Sequence, residues 1–411
     1  MGGTLGTFGS PVRVALFGSV VGLAVACGGG GDGGGVGPAA TNSPDASAPN
    51  PDGTLPDGGA LPPGTLLPDG GRVPDPPPKP ASDGGKVTDD GATPPISTTC
   101  VDGQQGGGGP NGGPADLFPC DSPWYKDVTA SPVAPQSDAI LAAIGAFGTG
   151  AFRIDFSFVF MHADAATPRH TFTIDDTADS DTDPVPVPVG GTLEEEDGYT
   201  CTGGGDCHLV VVDDSKKQLF EMWSVQNASG PYTAAQETVW DLTKHYGPEG
   251  RGIGCTSADA AGLAILPGMI GVRETRAGLI RHALRFILPN AKIRKGPSYV
   301  APATLGTSTT SSAGGPPYGS RLRLKKTFDE TKVKSTGGKA IVTALKTYGM
   351  LLADGGNYAL TAENERLELA KDPTMTWAGV LGGNDLTSIL PTDFEVVDFS
   401  ALKTGDDCTL K

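Results

Sequence analysis

Residues 28–115 restrict the fold of this chain more than any other segment, because almost nothing in them can enter a hydrophobic core. The segment consists mainly of Gly, Pro, Asp, Ser and Thr, and it contains no aromatic residue. Such a composition cannot bury enough apolar area to offset the entropy lost when the chain is ordered. We therefore predict a disordered tether at residues 27–115, followed by a single globular domain at residues 116–411.

The tether lacks a repeat of fixed period, which a solenoid would require. The unit Pro-Asp-Gly recurs at residues 51–53, 56–58 and 68–70, but its spacing is irregular and lacks the nonapeptide period of calcium-binding repeats. A flexible coil of about 88 residues spans about 50 Å between its ends. The tether is therefore long enough to hold a folded domain away from a membrane surface.

The start of the chain predicts an exported protein. The apolar run Val14–Val25 is too short for a transmembrane helix and is typical of a cleavable signal peptide. Small residues precede Cys27, and the junction resembles a bacterial lipobox, although Ala24 occupies the position where Leu is most common. We predict a lipoprotein signal peptide at residues 1–26; the alternative is an ordinary secretory signal that leaves Cys27 as a plain thiol.

The resemblance to a lipobox implies that Cys27 carries a diacylglycerol thioether and an acylated amine. Two or more acyl chains are what stable membrane anchoring requires. Gly28 follows the cysteine, so the Asp that commonly retains lipoproteins at the inner membrane is missing. We therefore expect a protein that is anchored to the outer membrane or cell surface and contacts the membrane through its lipid.

The charge of the chain excludes one class of partner. The formal net charge is −17 at pH 7, which does not suit nucleic acid or anionic lipid headgroups. No glycine-rich phosphate loop follows a predicted strand, so we expect no nucleotide ligand.

The cysteines predict disulfide bonds. There are seven, and six remain if Cys27 is lipidated, an even number that favours disulfides in an exported protein. Of the fifteen pairings that six cysteines allow, we predict these: Cys100–Cys120, Cys201–Cys207 and Cys255–Cys408. Zinc is the alternative, but no two cysteines have CxxC spacing.

The sequence pattern of the globular part predicts a mainly β fold. One helix is predicted from Ser137, and another at residues 338–347. The predicted strands lie at residues 152–160, 208–213, 218–223, 237–242, 279–288, 320–326, 348–353, 358–361 and 393–398. Many short strands with few helices predict an antiparallel β-sandwich or jelly-roll-like domain with one or two short helices.

From about residue 122 to residue 398, the pattern resembles a domain of exported bacterial proteins, often of unassigned function. The segments that carry this resemblance are residues 206–213, 219–221, 240–242, 256–263, 282–286, 348–350 and 353–354. The resemblance implies a shared fold more than an activity, and it transfers no catalytic residues.

A predicted hairpin around residues 214–217 supplies the candidate site. Pairing of Asp213 with Gln218 would place His208, Glu221 and Trp223 on one face. A carboxyl group among apolar neighbours has a raised pKa, as a general acid requires, and an indole could stack on a sugar ring.

This arrangement predicts a glycan site in which Glu221 is catalytic with Asp241 or Asp213 as the second carboxylate. His208, Trp223 and Trp240 would bind the ligand. The alternative is a structural Glu221 hydrogen-bonded to His208.

Two loops carry further candidates. Asp179, Asp181 and Asp183 could hold Ca²⁺, but Pro184 and Gly190 occupy the positions where an EF-hand needs Gly and an acidic residue, so a solvated loop is the alternative.

Residues 256–262 could begin a short helix capped by Ser257, with Asp259 as a ligand-binding carboxylate. The alternative is a packed connection. His282 is in phase with apolar neighbours, which predicts a core histidine.

Three functions remain open. A glycan-binding or glycan-cleaving domain requires Glu221 and a second carboxylate to converge on one groove. A non-catalytic envelope or adhesion module requires a flat patch without a cleft. A hydrolase of another class requires a nucleophile–base pair that the sequence does not reveal.

Overall fold

The computed structural model describes residues 117–405 and residue 408, and this part of the chain is mainly β with few helices. Its α-helices are α1 (Ser137–Ile144), α2 (Val272–Ala277), α3 (Thr336–Thr347) and α4 (Arg366–Lys371). Short 3-10 helices cover Pro123–Tyr125, Leu266–Gly268, Asn290–Lys292, Glu330–Lys332 and Pro391–Asp393. The signal peptide, Cys27 and the tether lie outside the described residues.

The strands are short. They are β1 (Ile154–Phe158), β2 (Met161–Ala163), β3 (Arg169–His170), β4 (Thr173–Ile174), β5 (Val185–Pro186), β6 (Leu209–Asp213), β7 (Gln218–Trp223), β8 (Thr233–Ala234), β9 (Gln236–Asp241), β10 (Leu284–Leu288), β11 (Arg321–Leu324), β12 (Met350–Gly355), β13 (Leu360–Glu363) and β14 (Phe394–Val396).

Two larger sheets organise these strands. One has six strands in the order β1-β13-β10-β12-β11-β14, and the other has four in the order β2-β6-β7-β9. The antiparallel pairing that we predicted is found for five of the eight neighbouring pairs in these sheets, and it is wrong for β1–β13, β10–β12 and β2–β6, which are parallel. The two sheets are therefore mixed. Parallel neighbours need a long crossover connection, so they join strands that lie far apart in the sequence.

The predicted hairpin is present in the predicted register. Asp213 pairs with Gln218, and Val210 pairs with Glu221. Valines favour extended backbone, and alternate residues of a strand point to opposite faces. Accordingly, Val210 joins the larger hydrophobic cluster and Val211 joins a smaller one on the other side of the same sheet.

Two segments illustrate how the predicted elements differ from the structure. Only residues 284–288 of the predicted strand at 279–288 are extended, because α2 and its left-handed C-cap at Gly278 (φ 71°) lie just before. Residues 256–262 form turns and bends rather than a helix. Here the Ser257 hydroxyl donates to the carbonyl of Leu263 at 2.5 Å and accepts from the N–H of Asp259 at 3.0 Å, contacts that close a loop on itself.

The second predicted helix is α3, which begins slightly earlier than expected. The Ser335 hydroxyl accepts from the N–H of Gly338 at 3.2 Å and caps the helix. Ile341 and Leu345 are fully buried on its inner face. Gly349 links α3 to β12 at φ 70°, where a Cβ would lie 2.5 Å from the Leu322 carbonyl oxygen, so this tight connection requires glycine.

Two of the predicted disulfides are confirmed. Cys201 is bonded to Cys207, and Cys255 is bonded to Cys408 across 153 residues of sequence. The pair Cys100–Cys120 includes a cysteine outside the described residues. Among the described helices, none is both long and apolar enough to cross a bilayer.

Candidate functional site

Glu221 lies in the interior and is closed to solvent. The N–H groups of Leu266 and Ile265 donate to its Oε1 at 2.8 and 2.9 Å, and the Trp240 indole N–H donates to Oε2 at 3.0 Å. Burial raises the pKa of Glu221 to about 7. The carboxyl group therefore ties β7 to the segment around residue 265, and it is not hydrogen-bonded to His208 as the structural alternative predicted.

The predicted second carboxylates do not face Glu221. Asp213 and Asp241 both pair with Gln218, three residues before Glu221 on the same strand. Because the side chains of a strand alternate between faces, Asp213 and Asp241 lie on the face opposite Glu221. The predicted convergence of Glu221 with Asp213 or Asp241 on one groove is therefore wrong.

Both aspartates instead shape turns. Asp213 Oδ1 accepts from Ser215 Oγ at 2.7 Å, and its Oδ2 accepts from the Arg169 guanidinium. Burial opposes ionisation of Asp213, but these hydrogen bonds outweigh it and lower its pKa. Asp241 Oδ1 accepts from the N–H and hydroxyl of Thr243 at 2.8 and 2.7 Å, at the start of the loop that carries Tyr246.

His208 is bound to a carboxylate that the sequence did not reveal. Its Nδ1 lies 2.6 Å from Glu194 Oε2, and its Nε2 lies 3.2 Å from the carbonyl of Ala258. Burial disfavours the charged imidazole, but the Glu194 carboxylate outweighs burial and raises the pKa of His208 to about 9. The pair is therefore a buried ion pair, with no room around His208 for the ligand that we predicted.

Asp259 is bound in the same interior region. Arg285 donates to both of its oxygens, with Nε and one terminal nitrogen each 2.8 Å away. Arg285 also reaches Thr361 Oγ1 at 2.7 Å and Asp354 at 3.3 Å. Burial, followed by the neighbouring Asp259 charge, raises the pKa of Asp354 well above its usual value. Asp259 is fully buried, so it does not present a carboxylate to a ligand.

The two tryptophans have separate roles. The Trp223 indole N–H donates to Asp206 Oδ1 at 3.2 Å. Trp240 is buried and packs edge-on against Phe118 at 6.1 Å and Tyr246 at 5.2 Å between ring centroids. Of the aromatic rings in this cluster, Tyr246 is the one that lines an open cleft.

The cleft beside Tyr246 has a volume of about 570 Å³. Its polar lining consists of Asp121, Ser122, Lys126, Tyr246, Arg321, Asp398 and Ser400. A narrower apolar recess adjoins it beneath Trp240 and Leu263. The Tyr246 hydroxyl is held in place, because it accepts from the N–H of Asp241 at 3.0 Å.

Arg321 is the least expected group in the cleft wall. It is buried, and it donates to the carbonyls of Tyr348 at 2.7 Å and Pro123. Burial lowers its pKa to about 10, and within residues 117–405 no carboxylate charge opposes that shift. A guanidinium without a counter-ion in a cleft is suited to an anionic ligand.

One group of potential metal ligands is found in the described part of the chain. It consists of Glu196, Cys201 and Cys207. The two sulfur atoms are joined in a disulfide, so they do not offer thiolates for zinc. In the predicted Ca²⁺ run, Asp179 accepts from the N–H of Thr256 at 3.3 Å and Asp181 accepts from the Arg251 guanidinium at 2.5 Å, and the run is not part of this ligand group.

The sequence analysis missed Glu194, Arg285, Arg321 and Tyr246. Arg285 did carry a signal, since it is the one cation in an otherwise apolar strand, whereas Arg321 alternates with leucine and with a second arginine in its strand. Buried charges are uncommon without a partner or a function. Glu194 and Tyr246 lie in loops, where no period distinguished them from solvent-exposed residues.

Comparisons with known proteins give no match. No family model, no curated protein and no solved structure is detectably similar to this chain.

Proposed function

We propose that this protein is an exported, lipid-anchored protein whose globular domain binds an acidic extracellular glycan in the cleft beside Tyr246, without cleaving it. The observation that carries the proposal is the cleft itself, in which a held aromatic ring and a guanidinium that forms no ion pair among the described residues line the same volume of about 570 Å³. Ligand pockets commonly have volumes of about 300–1,000 Å³.

Each part of the wall suits one part of a sugar. The Tyr246 ring offers an apolar face with a polar edge, which matches the face of a pyranose ring. Ser122 and Ser400 offer hydroxyl groups for hydrogen bonds. Arg321 and Lys126 offer positive charge for a carboxylate, in a wall that also carries Asp121 and Asp398.

Binding rather than cleavage follows from where the carboxyl groups lie. Glycoside hydrolysis needs two carboxyl groups that flank one bond. Of the two carboxyl groups in the cleft wall, Asp121 is bonded to His245 Nδ1 at 2.9 Å and Asp398 accepts from the N–H of Phe399 at 3.1 Å. Outside the cleft, both oxygens of Glu221 accept from N–H groups, and Asp213 and Asp241 lie on the other face of its sheet. An envelope module without a ligand is the less favoured candidate, because it requires a flat surface where the domain has a cleft.

The fold and the anchor complete the proposal. We propose that the six-stranded and four-stranded sheets are the two layers of a sandwich-like domain. The support is that side chains of both, such as Val210 from β6 and Phe286 from β10, enter one buried cluster. Cys27 would anchor the chain, and the tether would carry the cleft beyond the headgroups.

The cleft is tested on a glycan array with the full chain, followed by affinity measurements. We expect binding to glycans with uronic or sialic acids, and weaker binding to their neutral counterparts. Tyr246→Ala and Arg321→Gln should each weaken binding about tenfold or more. Tyr358→Ala removes an exposed tyrosine that does not line the cleft, and it should bind as the unaltered chain does.

Urea denaturation of each variant tests whether a loss of binding comes from a loss of folding. Equal binding of acidic and neutral glycans would refute the role of Arg321. Release of reducing ends from a bound glycan would refute the non-catalytic assignment.

For the anchor, Cys27→Ala should move the protein from the membrane to the soluble fraction with an unchanged unfolding midpoint. Continued membrane association of this variant would refute lipidation.

A further inference from the structure

The apolar recess beside the cleft is small and opens into it. Ser122, Tyr246 and Gly247 line both volumes, so the two are continuous. The recess has a volume of about 30 Å³, and a site needs about 10–15 Å³ to hold one water-sized group. It therefore has room for about two such groups. Its apolar side chains include Phe118, Trp124, Trp240, Leu263 and Ala264.

Contacts with the surrounding structure hold the walls of the apolar recess in place. The Trp240 indole N–H donates to the buried Glu221 at 3.0 Å, and the Leu263 carbonyl accepts from the Ser257 hydroxyl at 2.5 Å. The side chains of Trp240 and Leu263 are both buried. Closely packed interiors respond to a change of even one methylene group, so these walls should select an occupant by its size.

Ser122 supplies a hydroxyl group where the recess meets the cleft. Its Oγ accepts from the N–H of Trp124 at 3.4 Å, a contact that leaves the hydroxyl hydrogen to donate. An occupant that satisfies this place has a short apolar end for the recess and a hydrogen-bond acceptor next to it.

We infer that the glycan in the cleft carries an acetamido group, whose methyl end the apolar recess holds while Ser122 donates to its carbonyl oxygen. Leu263 and Ala264 would then determine which acyl group is accepted. The inference rests on the proposed function, because it names the chemistry of the glycan that the cleft would bind.

The acetamido group suits the recess better than the other common substituents of sugars. Its methyl group is apolar, its carbonyl oxygen accepts hydrogen bonds, and the two together match the room for about two water-sized groups. A hydroxyl or ammonium group among Trp240, Leu263 and Ala264 would lose its hydration without an equivalent hydrogen bond from these side chains, which is unfavourable.

The test varies only the acyl group of one glycan. A hexasaccharide of alternating N-acetylglucosamine and glucuronic acid is N-deacetylated and then re-acylated with formyl, acetyl or butyryl groups, which all give neutral amides. Isothermal titration calorimetry with the full chain should show the tightest binding for the acetyl form. The formyl form lacks the methyl group and should bind about fourfold more weakly, and the butyryl form is too long and should bind about tenfold more weakly or worse.

A second probe distinguishes two sources of the same chemistry. In the hexasaccharide the acetamido group and the carboxylate belong to neighbouring sugars, whereas in sialyllactose both belong to one sugar. The probe that binds more tightly identifies the arrangement that the cleft accepts, and the acetyl form should be preferred over the formyl form in either case.

Variants locate the acyl group. Leu263→Ala enlarges the recess, so the butyryl form should bind at least as tightly as the acetyl form. Gly247→Val narrows the entrance and should reduce the preference for acetyl over formyl; a Cβ at this glycine meets no atom within 4 Å, so the fold should tolerate it. Leu390→Ala removes an exposed leucine outside the recess and should keep the original order.

The measured quantity is the ratio of two affinities in one preparation, which does not depend on the fraction of protein that is folded. Equal affinities for the three acyl forms would overturn the inference and leave the proposed function standing, as would an unchanged order in both Leu263→Ala and Gly247→Val. Failure of every form of both probes to bind would overturn the proposed function and the inference with it.

Discussion

Asp259 and Arg285 form a two-point ion pair in the interior, with two nitrogen–oxygen distances of 2.8 Å. The pair joins the loop at residues 256–262 to the central part of the six-stranded sheet, and Arg285 extends the link to Thr361 in β13. Neither side chain is accessible enough to be solvated by water in place of its partner. Each charge therefore depends on the other.

Asp259→Asn should destabilise the domain by about 3–5 kcal/mol, because it removes the two-point counter-ion of a buried guanidinium and leaves it only the more distant Asp354, at 3.3 Å. Urea denaturation at pH 7 measures the loss. The matched control is Asp197→Asn, which removes the exposed partner of Arg366 and should leave the midpoint unchanged. Replacing both members, by Asp259→Leu with Arg285→Met, should cost less than Asp259→Asn alone. If the double variant loses more stability than Asp259→Asn, the ion pair itself makes a net contribution to the free energy of unfolding.

Glu221→Gln should lower stability by about 1–3 kcal/mol and leave glycan affinity unchanged. The reason is that both oxygens of Glu221 accept hydrogen bonds from N–H groups. An amide at this position replaces one acceptor oxygen by an NH₂ group, which would face an N–H donor without a hydrogen bond between them. Chemical denaturation and glycan titration, on the same preparation, measure the two effects separately. A large loss of affinity in a variant of unchanged stability would place Glu221 in the ligand site after all.

The His208–Glu194 pair should make stability depend on pH in the alkaline range. The pKa of His208 in the folded chain is raised from 6.5 to about 9, so the folded state holds the proton more tightly than the unfolded state. This stabilisation is fully present below about pH 6.5 and is lost as the pH rises through about 9. For so large a shift at a buried group it amounts to roughly 3 kcal/mol.

Urea denaturation at pH 6, 7.5 and 9 measures this loss. The buried carboxyls Glu221 and Glu363 have pKa values raised to about 7 and 8 by burial, and they add a decline of the same sign. His208→Gln should therefore reduce the slope without abolishing it. An identical slope in the variant would show that His208 does not titrate as its contact with Glu194 requires.

The two disulfides should differ in the stability that they contribute. In the chain-entropy model, stabilisation grows with the length of the closed loop. The pair Cys255–Cys408 spans 153 residues and Cys201–Cys207 spans 6. Replacing the first pair by alanine should cost about 4–5 kcal/mol and replacing the second about 2 kcal/mol. Unfolding of the two double variants under oxidising conditions compares them, and a larger loss from the short loop would contradict the entropic argument.

The sequence was sufficient to predict features that depend on neighbouring residues. The register of β6 and β7 followed from two apolar runs on either side of a polar turn, because both strands lie within sixteen residues. α3 followed from the spacing of Ile341 and Leu345. His282 was expected in the core, and it is buried with its Nε2 3.0 Å from Glu274.

The site could not be predicted in the same way, because its contacts join distant segments. The environment of Glu221 is set by Ile265 and Leu266, 44 and 45 residues farther along the chain. Pairing of β1 with β13 joins residues more than two hundred positions apart. Local patterns predict which side chains share a face, but they do not predict which backbone N–H groups will meet that face.

The edge of β9 has a consequence for how copies of this protein coexist. Its outward N–H groups at Glu237, Val239 and Asp241 are bonded to Ser180 Oγ, Asp181 Oδ2 and the Tyr246 hydroxyl. An open strand edge is a template for pairing with another chain, and this row has no donors left for that purpose. If a lipid anchor crowds many copies into two dimensions, the domain meets its neighbours with a capped edge, which protects it from assembly into extended sheets.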